Sequence, residues 1–240
     1  MEFIIELICE ILGGILESIL ESDRIPKWVR WLIIAILLGV PIALIINTII
    51  HADDIPTMII LGIVALVLVA IMVIPICSVL RSGILRSARK EDLPEILKMY
   101  RSVIGKNGCN WSISYPNEAT LHEDFSTGNL YVLWRGSKMI GAGSIVPKNE
   151  LDDLDVWQHR EKAGEIARIV IKPEYQSKGY GKHLVKKLCY KLDNKGHTAV
   201  HLLVSTENHH ALNLYREVGF HCMGQCERYD HTYYAFEKKL

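Results

Sequence analysis

Hydrophobic and polar positions follow two different regimes along this chain. Up to about Leu80, long apolar runs are interrupted by isolated polar residues; beyond it, apolar positions recur with the short periods of elements packed on a core. Residues 31–50 and 57–80 carry no charged side chain. At about 1.5 Å per residue a run of that length matches the roughly 30 Å hydrocarbon core of a bilayer, so the pattern predicts two membrane-spanning helices joined by the short segment 51–56. Pro41 and Pro75 fall within these runs, where spanning helices tolerate them. Ahead of them, in residues 1–22, Glu2, Glu6, Glu10, Gly13, Gly14, Glu17 and Glu21 recur every three or four positions among apolar residues. That spacing predicts an amphipathic helix with a narrow acidic stripe, suited to lying on a membrane or to self-association.

From Gly83 onward the periods shorten. Strands are predicted at 84–88, 130–134, 139–146, 166–171, 199–204, 220–223 and 232–236. Helices are predicted from Glu91-Asp92-Leu93-Pro94, with Ile96, Leu97, Tyr100, Val103 and Ile104 as the apolar face, and over 179–192 and 211–218. Segment 105–129 reads as a loop with a short helix. Strands that first pair locally and then alternate with helices predict an α+β, mixed α/β domain with a central mixed sheet flanked by helices. The chain thus divides into an amphipathic helix (1–22), an all-α transmembrane hairpin (23–82) and a globular domain (83–240).

Charge changes this picture by adding orientation. Arg24, Lys27 and Arg30 precede the first run and Arg81, Arg86, Arg89 and Lys90 follow the second, while the connection carries Asp53 and Asp54 and no basic residue. The positive-inside rule then predicts a multi-pass protein of the cell membrane with both termini and the globular domain in the cytoplasm. The formal net charge is zero, so no basic bias points to nucleic acid. Six scattered cysteines do not form a secreted disulfide framework. Cys222 and Cys226, with His221 and His231 nearby, lack the usual spacing and a second ligand pair for zinc, and no metal is expected.

The chemistry concentrates in Ala167-Arg168-Ile169-Val170-Ile171-Lys172-Pro173-Glu174-Tyr175-Gln176-Ser177-Lys178-Gly179-Tyr180-Gly181-Lys182, where a β-branched strand runs through a glycine turn into a helix. Glycines let backbone N–H groups converge, the helix start adds unpaired donors, and Lys178 and Lys182 add charge, which together suit a pyrophosphate. A P-loop would need four residues between its glycines, and a Rossmann loop a third glycine. The form Gln-x-x-Gly-x-Gly at Gln176–Gly181 resembles the acetyl-CoA-binding motif of the GNAT (GCN5-related N-acetyltransferase) superfamily. A second block, Asn208-His209-His210-Ala211-Leu212-Asn213-Leu214-Tyr215-Arg216-Glu217-Val218-Gly219-Phe220, is similar to that family's Asn-x-x-Ala-x-x-Leu-Tyr-x-x-x-Gly-Phe at every named position. The resemblance covers about residues 84–240.

The resemblance implies the GNAT acyl-CoA N-acyltransferase fold and acetyl-CoA as co-substrate. Ile169, Val170 and Ile171 would bind the pantetheine arm by main chain. Gln176, Ser177, Lys178, Gly179, Tyr180, Gly181 and Lys182 would hold the pyrophosphate, and Asn208 would contact the cofactor arm. Acetyl transfer to a primary amine of a small molecule or peptide is expected by direct attack. A backbone N–H near Val170 would stabilise the oxyanion, Tyr215 would act as general acid, and Glu165 as base, with a water chain, His209 or His210 as alternatives. Trp111, Tyr115 and Asp124 are candidates for shaping the acceptor pocket and attracting the amine. Two further readings are transfer from another acyl-CoA and a cofactor-sensing module that regulates a membrane partner.

Overall fold

A seven-stranded sheet organises the globular part of the chain, and the computed structural model describes residues 83–146, 151 and 153–240 together with isolated helical positions between 19 and 69. The predicted amphipathic helix and both predicted spans fall largely outside the described residues. Among the described residues no helix is long and apolar enough to cross a membrane. Those described within the uncharged runs are helical and present apolar side chains outward, Ile36, Ile50 and Ile60 among them. The chain divides into two compact units, residues 1–84 and 85–240.

From residue 84 onward the elements are β1 (Ile84–Ser87), α1 (Leu93–Val103), α2 (Glu118–Ser126), β2 (Leu130–Arg135), β3 (Lys138–Val146), β4 (Ala163–Ile171), α3 (Tyr180–Asn194), β5 (Ala199–Ser205), α4 (His209–Glu217), β6 (His221–Arg228) and β7 (His231–Lys239). The strands lie in the order β1-β2-β3-β4-β5-β7-β6. β2/β3, β3/β4, β5/β7 and β6/β7 are antiparallel; β4/β5 is parallel. This is the mixed sheet that the alternation of elements predicts.

Two hydrophobic clusters sandwich the sheet. On one face α3 buries Leu184, Val185, Leu188 and Leu192, each contributing about 1.5–3 kcal/mol of transfer free energy. It sits close because β3 carries glycine beneath it: a Cβ at Gly143 would lie 2.6 Å from Ile169 Cδ1 and 2.9 Å from Leu188 Cδ1. On the other face α1 buries Leu93, Ile96, Met99 and Tyr100 against β2 and β3. Met99 is buried where the sequence pattern favoured Leu97 and Val103, which are only partly buried, and Ile104 lies past the helix end. α2 starts at Asn117, whose side chain accepts the Thr120 N–H at 3.0 Å.

Most boundaries lie within a few residues of the sequence expectation, with two larger differences. β4 begins at Ala163 rather than 166, and the β6/β7 hairpin extends to Arg228 and His231. The hairpin's outer half, Gly224-Gln225-Cys226-Glu227-Arg228, is half-exposed and polar, and backbone pairing with β7 extends it without an apolar period.

Candidate active site

The central feature is an interrupted strand pair. β4 and β5 pair only at Ala163↔Ala199, Gly164↔Val200 and Glu165↔His201, then diverge. Beyond Glu165 one edge of β4 has no strand partner and turns its backbone groups into a cleft of about 1140 Å³. Ile169, Val170 and Ile171 line it, as do Leu203, Val204 and Ser205 of β5. Those backbone groups suit a linear amide-containing ligand lying in the gap like an added strand.

One end of the cleft meets the start of α3. After β4 the chain makes a 3-10 turn at Pro173–Tyr175 and a left-handed step at Ser177 (φ 57°), then enters the helix through Gly179 (φ 84°). The Gln176 side chain donates from Nε2 to the Ile171 carbonyl at 3.0 Å, latching the loop to the end of its strand. The two glycines have different tasks. An added Cβ at Gly179 would meet nothing within 4 Å, so its need is the left-handed backbone and an open face. At Gly181 the Cβ would come within 2.6 Å of Leu214 Cδ1, so that glycine lets α4 pack against α3. With the first N–H groups of α3 unpaired, the open face is an anion seat.

Gln176, Ser177, Gly179, Gly181 and Lys182 line the cleft. The side chains of Lys178 and Tyr180 do not. Lys178 Nζ donates to the Glu174 carbonyl at 2.7 Å and lies over the Tyr175 ring, so its charge is turned away from the anion seat. Tyr180 is buried in the core against Tyr175. Lys182 lines the cleft and pairs with Glu217 at 3.4 Å across the surface.

α4 supplies two of the predicted residues. Asn208 caps it, accepting the Ala211 N–H at 3.0 Å, and faces the cleft. Tyr215 is buried between Phe220 and Phe236, with ring centroids at 5.6 and 6.3 Å, yet reaches the cleft wall. Burial pushes the Tyr215 phenol well above its ordinary value of 10, so it stays protonated. His210 lines the cleft, while His209 is exposed at the helix start.

The opposite end is assembled from several elements. Glu165, buried, stands where β4 and β5 part. Around it come Trp111 and Tyr115 from the loop after α1, and Tyr229, His231 and Tyr233 from the β6/β7 hairpin. Trp111 serves as an anchor too, edge-on to Tyr100 at 5.3 Å.

Asp124 has a different task from the predicted one. Arg168 sits at a bulge of β4, at φ 54°, where the register with β3 shifts between Ala142 and Ser144. Its guanidinium grips Asp124 through Nε–Oδ2 and Nη2–Oδ1 bonds of 2.7 Å each and donates to Tyr115 Oη at 3.2 Å. Ser144 Oγ donates to the same carboxylate at 2.6 Å. Burial opposes the charge on Arg168, but its bonds to Asp124 outweigh that and hold the guanidinium ionised. The Asp124 charge is therefore compensated and is not available to attract an amine; it fixes the bulge and, through Arg168, Tyr115. Among the described residues no group of three His, Cys, Asp or Glu side chains is arranged to hold a metal ion.

Comparison with known proteins agrees with this geometry. A family model described as "Acetyltransferase (GNAT) family" matches residues 95–220, more than half of the chain. The chain is similar to an uncharacterised N-acetyltransferase, YvbK, of Bacillus subtilis, at 24% identity over half of this chain and 67% of that one. It is 42% identical over 27% of its length to the N-alpha-acetyltransferase RimI of Mycobacterium tuberculosis, of which the match spans 39%. The chain spans between 17% and 67% of the length of the curated relatives it matches. In fold it resembles yncA, a putative acetyltransferase of Salmonella typhimurium solved with its cofactor acetyl-CoA (TM-score 0.50, 15% identity, 65% of this chain and 93% of that one).

Proposed function

The chain belongs to the acetyltransferase (GNAT) family, and from that premise we propose that it transfers an acetyl group from acetyl-CoA directly to a primary amine. The observation that carries this reading is the parting of β4 and β5 beside a glycine-opened helix start, with Tyr215 on the wall between. The cleft fits the co-substrate: an unpaired strand edge for the amides of a pantetheine arm, and an open face at Gly179 for its pyrophosphate. When bound, acetyl-CoA supplies the activated thioester.

The chain's own groups then have three tasks. Glu165 takes the proton that the attacking amine must lose. A backbone N–H near Val170, on the unpaired edge of β4, stabilises the charge that develops on the thioester oxygen. Tyr215, which burial keeps protonated at neutral pH, gives a proton to the departing thiolate as the second amine proton becomes available to replace it. Purified chain given acetyl-CoA and a panel of amines and peptides should release free thiol. Tight acetyl-CoA binding without thiol release from any amine would point to a cofactor-sensing module instead, and release only with a longer thioester to another acyl donor.

The same reading gives the N-terminal third to the membrane, as a two-span anchor with both ends in the cytoplasm and residues 1–22 on the bilayer or self-associated. Its support is the uncharged runs at 31–50 and 57–80, the basic flanks, and the outward apolar helical positions such as Ile36, Ile50 and Ile60. An Asp53→Cys variant should label from outside intact cells with an impermeant maleimide, whereas labelling of Ser177→Cys instead would reverse the topology.

A further inference from the structure

A row of titratable side chains crosses three adjacent strands beneath the cleft, and the mechanism above uses only its first member. Register pairs Glu165 of β4 with His201 of β5, and His201 with Glu237 of β7. Paired residues on neighbouring strands project to the same face, about 5 Å apart, so carboxylate, imidazole and carboxylate stand side by side. All three are buried, His201 completely.

The row is tightly built. His201 Nε2 lies 3.0 Å from Glu237 Oε2. That oxygen also accepts the backbone N–H groups of Gln158 and His159, at 3.1 and 2.9 Å. Glu237 Oε1 lies 2.8 Å from His159 Nδ1, and the His159 side chain is 37% exposed. Trp157 lies flat over His201 at 4.0 Å, held by an Nε1 bond of 2.7 Å to the Leu151 carbonyl. One end of the row lines the cleft at Glu165 and the other meets solvent at His159.

Packing alone does not account for such a row. Buried ionic groups commonly contribute no more to stability than apolar side chains of the same shape, so a His and a Glu inside otherwise apolar strands call for another role. Acetylation of an ammonium group supplies one. The substrate nitrogen gives up two protons per turnover. One ends on the CoA thiol, replacing that given by Tyr215, and one must leave the site, so Glu165 must be ionised to receive it.

We propose that His201 and Glu237 are positioning residues for Glu165: Glu237 holds His201 cationic, and that cation, beside Glu165, keeps the cleft carboxylate ionised. This inference rests on the reading of Glu165 as the base. Titratable and charged groups beside the row include Tyr115 next to Glu165, with the Arg168 guanidinium bonded to that phenol at 3.2 Å, and His159 and His221 beside Glu237. Neutralising Glu237 lets His201 lose its proton, and Glu165 then loses the positive charge paired with it on β5 and binds a proton more readily.

The test is a carbon-detected NMR titration of the Glu165 carboxyl in the full chain, which needs neither acceptor nor turnover. In Glu237→Gln and in His201→Asn the Glu165 titration should move up by about one pH unit. His159→Asn, at the exposed end, should move it the same way by less and serves if the buried variants fail to fold. With an acceptor in hand, the acid limb of the kcat/KM profile should shift by the same amount, which a purely structural role would not produce. An unchanged Glu165 midpoint in folded variants overturns the proposal. Shifted midpoints in a chain that releases no thiol would sustain the coupling while removing the catalytic reading.

Discussion

Under the proposed function, recognition at the phosphate end of the cleft is built from backbone: a left-handed step, an open glycine and the unpaired donors of a helix start, all within residues 171–182. At the acceptor end it is built from side chains that arrive from the α1–α2 loop, α2, β4 and the β6/β7 hairpin, with the buried Arg168–Asp124 pair tying three of these together. Backbone recognition of a constant ligand tolerates many side chains but few changes of glycine. Side-chain recognition of a particular amine depends on long-range ion pairs. The two ends should therefore fail differently.

The largest loss is expected at the acceptor end. Arg168→Ala leaves the Asp124 carboxylate buried without its main partner and should cost about 3–5 kcal/mol of stability, read as a drop in the urea midpoint. A loss below about 1 kcal/mol would mean that Ser144 and water compensate and that the pair is not the brace argued for.

At the phosphate end, Gly179→Ala should cost about 1–2 kcal/mol through the left-handed backbone and weaken acetyl-CoA binding roughly tenfold by calorimetry. Gly181→Ala should do less, because its new methyl meets only the movable end of Leu214. Equal effects would erase the distinction between a conformational and a packing glycine. Smaller again is Asn208→Ala, which removes the cap of α4 and should cost about 1 kcal/mol.

The pH dependence separates the deeper row from both ends. Burial pushes the Glu237 carboxyl up, but the hydrogen bonds from the His159 ring, the His159 backbone and His201 outweigh it and hold it below its ordinary value of 4.5. A depressed carboxyl contributes stability that is complete above its unfolded value and is lost as pH falls through the folded one. Urea midpoints should therefore fall as pH drops from about 4.5 through the lower folded value, and Glu237→Gln should flatten that fall; parallel curves would assign it to other carboxylates.

This contrast also decides what could be read from the sequence. The phosphate loop and the second block are contiguous, so Gln176, Gly179, Gly181, Asn208 and Tyr215 were legible from spacing. Lys178 lies outside the cleft lining, with its ammonium on the Glu174 carbonyl and over the Tyr175 ring, and spacing says nothing of where a long side chain turns. Asp124 looked like an amine ligand because its partner Arg168 lies 44 positions away in sequence. Tyr229, His231 and Tyr233 were missed with the polar half of their hairpin. His201 and Glu237 did leave a signal, a titratable residue inside the apolar runs Ala199-Val200-His201-Leu202 and Ala235-Phe236-Glu237, and strand register turns that signal into a row.

In the proposed reaction the cleft binds acetyl-CoA and Tyr215 completes the transfer. The most direct measurement pairs acetyl-CoA titration with thiol release for the parent chain and Tyr215→Phe, using an amine that the panel identifies. The dissociation constant should be the same for both, and kcat about 100-fold lower for the variant. Equal turnover would remove Tyr215 from the chemistry, and absence of acetyl-CoA binding in the parent chain would contradict the account as a whole.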